Sequence, residues 1–478
     1  MPHRRAPCGF GFVIMRFGMS PDLSVESSKA GADDSEHTVA LSDRGLRRWM
    51  NGLLLAGVLL RLAVLLTAAP NNPDPHQEVI EYIVEHHALP TSNVLNQSYH
   101  PPLYYLLNAP LWAIWHSSVP LHILSFVFSM LNLILIRRLL DHPAIAPQGH
   151  TKLIAMGFAC FMPEFVMFSG FVSNDTLTFL VGTLLFWRLL KYIERQSAAN
   201  LTGVALCMGV GLLTKATFLS TWPVLVVLVC WLESRAGQPR RTVAAVAMFC
   251  LISLAVGCYK YVENVARLGH VFVHNLDAHN ITWEKQRGTW KGPHTLYDFD
   301  IIKLIRDPIL HPSHTFSIPT LLYATLWYPH IPNSSYIGNW HGYEWVGSMI
   351  YAAAIVPTLL FVIGLGQGVT LLFRQMRSPR AIALASGSMM LLANLALVVA
   401  VGLKYDVWSC FQSRLCFQSM LPGLALFGLG ADWLRKFRVA GIVASTICWI
   451  AIVCFLLYFC VEIALFYQFL PLGPQLQP

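Results

Sequence analysis

The stretch that decides the fold is residues 49–69, WMNGLLLAGVLLRLAVLLTAA, with the segment that follows it, residues 70–87, PNNPDPHQEVIEYIVEHH. The first part is an apolar run of about 20 residues, the length that an α-helix needs to cross a bilayer. The second part is rich in acids and histidines, and no Lys or Arg occurs between Arg61 and Arg137. Basic residues avoid the outer side of a membrane. The sequence therefore predicts a first span followed by an outer loop that carries polar chemistry.

The composition of the whole chain indicates a polytopic helical membrane protein. Of its 478 residues 55% are hydrophobic and 12% are charged, and the mean hydropathy is +0.53. Backbone groups in lipid must pair within their own segment, so we expect an all-α bundle. About 11 apolar runs are candidate spans: Trp49–Ala69, Val119–Ile136, Leu153–Val172, Thr176–Leu190, Asn200–Leu213, Phe218–Leu232, Val243–Val262, Trp345–Phe373, Ala381–Leu403, Phe417–Trp433 and Ala440–Phe466.

Clusters of Lys and Arg between these runs predict the orientation, because such clusters in short loops stay cytoplasmic. With 11 spans every cluster falls on the cytoplasmic side. The net charge of +8 therefore reflects the membrane topology and does not support nucleic-acid binding. Residues 1–47 are predicted to be a disordered cytoplasmic tail, and residues 48–478 the transmembrane domain. The outer loops are 70–118, 260–344 and 404–416, and the C-terminus lies outside.

The first outer loop is expected to carry helices that lie at the membrane interface. Glu78, Glu81 and Glu85 recur at helical spacing opposite an apolar face, a pattern typical of an amphipathic surface helix. The apolar run 101–115 is predicted to lie at or dip into the outer interface. Asp74 stands just before the acidic helix, in Asn-Pro-Asp-Pro. Its carboxylate could cap the helix, or it could accept the proton of a hydroxyl at the mouth of a membrane cavity.

The histidines of this loop form no tight metal-binding pattern such as His-Glu-x-x-His, and adjacent His86 and His87 point to different helix faces. We therefore expect no cofactor and no essential metal, with a divalent metal ion as the alternative. Asn174 and Asp175 open a predicted span on the outer side, where a helix-capping role explains both residues.

The ordered motifs of the chain resemble a known family, the polyprenyl-phosphate-dependent glycosyltransferases of the protein mannosyltransferase type (family 39, the GT-C membrane fold). The motifs are Pro-Asp at residues 73–74, Leu-Pro at 89–90, HPPLYY at 100–105, SND at 173–175, GLLTK at 211–215, SRL at 413–415 and Leu-Pro at 421–422. The resemblance implies an integral enzyme, with inversion, that moves one sugar from a polyprenyl-phosphate carrier to a glycan, lipid or protein acceptor outside the membrane. Relatives of this kind imply a bacterial plasma membrane.

The resemblance also implies roles for individual residues. Asp74 matches the first acid of the family's Asp-Glu pair and would be the general base. Pro75 stands where the second acid is usual, and either His76 or Glu78 could supply the missing group. The candidate substrate and carrier contacts are Gln77, His100, Tyr105, Asn174, Asp175, Lys215 and Arg414. Arg414 suits a phosphate because its planar guanidinium can donate two hydrogen bonds, although a basic residue there could also extend to the interface.

Two other functional classes remain open from the sequence. A transporter or flippase of a lipid-linked substrate would place ionisable groups inside spans, where Arg61 and Glu164 are the evident ones, and would show repeated halves. A glycan polymerase or ligase would use similar basic and hydroxyl groups with a diphosphate carrier. The collection of polar residues in outer loops favours the glycosyltransferase.

Overall fold

The computed structural model describes residues 43–68, 75–273, 292–309, 317–328, 337, 342–374, 377–404 and 412–473. These residues belong to one unit of the chain, residues 41–478. The first helix begins at Asp43, so residues 43–47 of the predicted tail are helical. Asp74 lies outside the described residues.

The described residues contain helices and no strand, as the sequence predicts. The α-helices are α1 (Asp43–Ala68), α2 (His76–His86), α3 (Leu103–Trp115), α4 (Val119–Leu139), α5 (Gly149–Phe161), α6 (Pro163–Met167), α7 (Asp175–Glu194), α8 (Ala198–Thr214), α9 (Phe218–Ser234), α10 (Pro239–Gly257), α11 (Tyr259–Leu268), α12 (Ile301–Arg306), α13 (Ile318–Trp327), α14 (Trp345–Arg374), α15 (Pro379–Lys404), α16 (Met420–Leu434) and α17 (Arg438–Phe466). Short 3₁₀ helices at Phe168–Gly170, Pro293–Leu296 and Ser413–Ser419 connect some of them.

Eight of the helices in the described ranges are long and apolar enough to cross a membrane, and a bent pair, Gly149–Phe161 with Pro163–Gly170, makes up to nine. The predicted fifth and sixth spans correspond to α8 and α9, which are apolar but shorter. The third short apolar helix, α13, occupies residues inside the predicted second outer loop. The protein is thus an integral membrane protein of helical architecture, while the number of 11 spans is not confirmed.

The bend in the third span explains the buried charge of Arg61. Pro163 has no N–H, so the carbonyl of Ala159 lacks its usual helical donor, and the carbonyl of Cys160 is left at the break. The guanidinium of Arg61 donates to both carbonyls, at 2.9 Å to Ala159 and 2.7 Å to Cys160. Its Nε donates to Ser129 of α4 at 3.1 Å. Arg61 therefore connects α1 to α4 and to the broken span. Because this structural role accounts for a charge inside a span, Arg61 no longer supports the transporter alternative.

The first outer loop forms the two helices that the sequence predicts. Val79, Ile80 and Ile83 of α2 are buried, while Glu78 and Glu85 are exposed on the other face. α3 packs against α2 and is not among the candidate spans. Both observations fit helices that lie at the interface, with their apolar faces on the rest of the bundle.

Close packing joins α7 to the 3₁₀ helix Ser413–Ser419. A Cβ on Gly182 would collide with the backbone carbonyl of Gln418, so only glycine permits this approach. The Gln418 side chain in turn bonds to Thr217 twice, accepting from its hydroxyl at 2.9 Å and donating to its carbonyl at 3.1 Å. These contacts hold α7, the turn after α8 and the 3₁₀ helix together.

Candidate active site

Three charged side chains meet at this place. Lys215, the first residue after α8, contacts Oδ1 of Asp175 through its Nζ at 2.5 Å. Arg414 of the 3₁₀ helix approaches Oδ2 of the same carboxylate at 3.3 Å. All three residues are at least nine-tenths buried. Ser173 supports Asp175 by donating to Oδ2 at 3.0 Å and by accepting from its backbone N–H at 3.2 Å.

The geometry corrects two expectations about these residues. Asn174 takes the N-cap position of α7, but its side chain makes no capping hydrogen bond, and Asp175 is an ion-pair partner instead. The capping interpretation is therefore wrong for both. Arg414 does not extend to the interface: its guanidinium lies over the ring of Phe168, with Cζ 4.4 Å from the ring centroid. A cation held on an aromatic face beside a carboxylate is fixed in place.

A second group of side chains forms around His76 at the start of α2. Its Nδ1 lies 2.9 Å from the hydroxyl of Tyr105, and that hydroxyl donates to the carbonyl of Gln97 at 3.0 Å. A tyrosine hydroxyl has a single hydrogen, and a carbonyl can only accept. Tyr105 must therefore accept from His76, which puts a proton on Nδ1. When the imidazole is neutral, Nε2 is consequently its acceptor nitrogen.

Aromatic contacts and electrostatics connect the two groups. The ring of His76 stacks on His100, with 5.6 Å between centroids, and meets Tyr104 edge-on at 6.1 Å. The Tyr104 hydroxyl lies 3.1 Å from Ser125 of α4, and its burial raises the pKa of Tyr104 well above the ordinary value. His76 also lies within electrostatic range of Asp175. Histidine, tyrosine and the charged trio thus form one continuous polar site.

The structure sorts the remaining predicted residues. Of the two substitutes for the missing acid, His76 lies in the site, whereas Glu78 is exposed on the other face of α2. Gln77 is half-buried and donates to Glu81 at 2.7 Å along the helix, so it does not join the site. Asp74, the predicted base, lies outside the described residues and stays a prediction.

Sequence reasoning missed the residues that hold the site together. Ser173 stands inside a motif that was quoted, but its hydroxyl was not assigned a role. Tyr104 and Gln418 are fully or almost fully buried and act through contacts to residues distant in sequence. A polar residue inside an apolar run was the available signal for Gln418, since such residues are costly without a partner.

Lys260 of α11 fastens the first outer loop to the bundle from the other side. It is 3% exposed and donates to the carbonyl of Pro90 at 3.0 Å and to Glu263 at 3.0 Å. Burial lowers the pKa of Lys260, an effect that Glu263 partly opposes. Ser92 adds a hydrogen bond to Asn264 of α11 at 2.6 Å.

An apolar cavity of about 370 Å³ lies beside the 3₁₀ helix that carries Arg414. Ser413, Cys416 and Phe417 line it, so its wall includes the 3₁₀ helix that carries Arg414. The rest of the lining comes mainly from α13, α14 and α16 and is aliphatic or aromatic. Such a lining suits hydrocarbon and offers little to a hydrated solute.

Within the described ranges, no group of three or more His, Cys, Asp or Glu side chains is placed to hold a metal ion. His76 stacks on His100, and the one carboxylate within electrostatic range of His76 in this site, that of Asp175, is already bound by two cations. The absence of an essential metal stays a prediction from the sequence.

Three solved structures of membrane proteins are similar to this chain over most of its length. ArnT from Cupriavidus metallidurans bound to undecaprenyl phosphate matches with a TM-score of 0.44 and 12% identity, over 82% of this chain and 62% of that one. The apo oligosaccharyltransferase of Archaeoglobus fulgidus matches with a TM-score of 0.49 and 12% identity, over 89% and 56%. AglB of the same organism, in complex with an inhibitory peptide and a dolichol-phosphate, gives 0.46, 11%, 89% and 56%.

The all-α membrane class that the sequence predicts is confirmed by the described helices themselves, eight of which are long and apolar enough to cross a membrane. The chain spans about three fifths of the length of the matched structures. No protein-family model and no curated protein matches the sequence. At these identities the similarity concerns the fold, and the function has to be argued from the site.

Proposed function

We propose that the protein is a membrane glycosyltransferase that moves one sugar from a lipid-linked monophosphate to an acceptor hydroxyl on the extracytoplasmic side. The observation that carries this proposal is the convergence of Lys215 and Arg414 on one small anionic group, the Asp175 carboxylate, beside an apolar cavity. A phosphate placed next to that carboxylate would be within reach of both cations. A donor with a charged head and a hydrocarbon tail fits both features together.

The chemistry of the leaving group explains why two cations are useful. The acceptor oxygen forms a bond to the anomeric carbon while the bond from that carbon to the phosphate oxygen breaks. The carrier then leaves as a phosphate monoester with one more negative charge than before. Fixed cations that face this developing charge stabilise the transition state more than the ground state. Arg414 suits the task because its guanidinium is planar and already oriented by Phe168.

The proton of the acceptor hydroxyl must pass to a base as the new bond forms. Asp74 is the base that the family resemblance implies, and it precedes α2 by two residues. His76, the first residue of α2, is a second group that can accept this proton, because Nε2 is its acceptor nitrogen. A single displacement of this kind inverts the anomeric carbon.

The burial of the site supports transfer over hydrolysis. His76, Asp175 and Tyr105 are each about 1% exposed. A site closed to water strengthens electrostatic interactions and keeps water from competing with the acceptor for the sugar. We propose that the acceptor is a glycan, lipid or protein hydroxyl. The reaction would take place at the outer face of a bacterial plasma membrane.

The experiment that tests the proposal measures sugar transfer by the purified protein in lipid nanodiscs. The donors are a polyprenyl monophosphate carrying one labelled sugar and a polyprenyl diphosphate carrying a glycan. We expect transfer from the monophosphate, with loss in the Lys215→Met and Arg414→Met variants and no loss in Lys152→Met. Transfer from the diphosphate alone would assign a polymerase or ligase, and movement of the intact donor across the bilayer without transfer would assign a flippase.

A further inference from the structure

Several buried polar side-chain atoms that flank the charged trio have no hydrogen-bond partner in the part of the chain that the structure describes. They are Oδ1 and Nδ2 of Asn174, Oγ1 of Thr176, Oε1 of Gln412 and Oγ of Ser413. The first two residues stand on either side of Asp175, and the other two immediately precede Arg414. The two groups are brought together by the ion pair between Asp175 and Arg414.

Such a concentration requires a physical explanation. Folded proteins pair the large majority of their buried polar groups, and each one left without a partner costs about 1–3 kcal/mol. The atoms are sealed from solvent here, so bulk water does not satisfy them. Their partner is either an enclosed water molecule or a ligand that enters with a movement of the site.

Asn174 is the most informative of these residues. It is fully buried, and both ends of its amide lack a partner, so the conclusion holds whichever way the amide is turned. Its backbone is fixed, because its carbonyl accepts from the N–H of Thr178 at 3.0 Å and from the Thr178 hydroxyl at 2.8 Å. The amide therefore offers one acceptor and two donor hydrogens at a fixed point next to Asp175.

From this arrangement we infer that Asn174 binds the sugar of the donor through the hydroxyl groups of that sugar. The inference rests on the proposed function and deepens it. The atoms in need of a partner are an amide nitrogen, which donates, carbonyl oxygens, which accept, and hydroxyl groups, which do both. Sugar hydroxyls can satisfy all of them, because each one can donate and accept a hydrogen bond.

The test uses Asn174→Leu, which keeps the approximate volume and removes the amide. Asn132→Leu is the matched control, because Asn132 is also fully buried with both amide atoms unpartnered. It lies on α4 seven residues beyond Ser125, about 10 Å further along the helix. Each substitution removes an unsatisfied buried group, so both variants are expected to raise the melting temperature, by about 1–2 °C.

Donor binding separates the two variants and is measured independently of transfer. The probes are undecaprenyl phosphate and undecaprenyl phosphate glucose, each followed by its effect on the melting temperature over a concentration series. For wild type and Asn132→Leu we expect glucose to strengthen binding over the bare carrier roughly 10- to 100-fold, the equivalent of one or two hydrogen bonds. Asn174→Leu should bind both probes equally well.

The outcomes distinguish the inference from the proposed function. A gain from glucose that survives in Asn174→Leu overturns the inference and assigns the unpartnered atoms to enclosed water. An absent glucose gain in the wild type overturns it as well. A gain that depends on Asn174 in a protein that transfers no sugar supports the inference and refutes the transferase activity.

Discussion

The two ends of α7 place their charged residues in different surroundings. At the Glu194 end, most acids and bases pair near the surface: Asp141 with Arg137 at 2.6 Å and with Lys152 at 2.8 Å, and Glu194 with His142 at 3.1 Å. The exception is the buried Glu233, which Tyr192 and Arg241 bind. At the Asp175 end the charges are buried, two cations share one carboxylate, and neutral polar atoms nearby lack partners. Exposed pairs contribute little to stability, while buried ones are costly to assemble. The costly arrangement marks the end where a ligand belongs.

The largest expected effect comes from removing the proposed base, Asp74. Asp74→Asn preserves size and most hydrogen bonds but cannot accept a proton, so turnover should fall about 10²- to 10⁴-fold with donor binding retained. Asp74→Glu should recover only part of the rate, because a misplacement of about 1 Å can itself cost about 10²-fold. Initial rates at equal protein in nanodiscs provide the measurement. A wild-type rate in Asp74→Asn would reduce Asp74 to a helix cap, since Asn caps about as well as Asp.

The second test examines how Arg414 binds the phosphate. Arg414→Lys keeps the positive charge and loses the planar donor pair and the fit to the Phe168 ring. We expect the apparent donor constant to rise by about 10- to 100-fold, with a smaller effect on the melting temperature. Arg137→Lys, at the opposite end of the bundle, is the matched control and should leave donor dependence unchanged. Equal donor constants in Arg414→Lys, Arg414→Ala and wild type would take Arg414 out of the site.

A third test uses pH to examine His76. A protonated imidazole cannot accept a hydrogen bond at Nε2, so activity that needs this acceptor should fall at acid pH. The groups that face it are Tyr104, Tyr105, His100 and Asp175, with Lys215 and Arg414 behind the last. His76→Gln should lose this acid limb. Its persistence in that variant would assign the limb to another group.

Sequence patterns predicted most of the architecture because helix formation in a membrane depends on local composition. The apolar runs gave the main helices, and the spacing of Val79, Ile80 and Ile83 gave the buried face of α2. The break at Met162 was not predicted, although Pro163 was visible, because a proline in a membrane span can be tolerated or can bend it. The predicted number of spans is not confirmed, because α8 and α9 are apolar but too short to qualify as spans by their length.

The candidate site was predicted only in part. His100, Tyr105, Lys215 and Arg414 were found through motifs, and the structure brings them to one region with His76 and Asp175. The role of Asp175 was misjudged because a capping carboxylate and an ion-pair partner look alike in sequence. The partner cations lie 40 and 239 residues away, and pairing over such separations is set by tertiary structure.

The smallest expected effect comes from the surface pairs and completes the comparison. Burial alone would raise the pKa of Asp141, but hydrogen bonds from Lys152 and Arg137 outweigh it and lower that pKa below its ordinary value. A carboxyl whose folded pKa is lowered contributes stability above its unfolded pKa, near 4, and loses it as pH falls through the folded value. Asp141 is 44% exposed, so solvent screening limits this contribution to at most about 1 kcal/mol.

Asp141→Asn should therefore lower the melting temperature slightly at pH 7, not at pH 3, and leave sugar transfer unchanged. Melting curves and initial rates at both pH values check this. A loss of transfer in Asp141→Asn, at unchanged stability, would show that the two ends are coupled, and the division between a structural and a functional end would have to be abandoned.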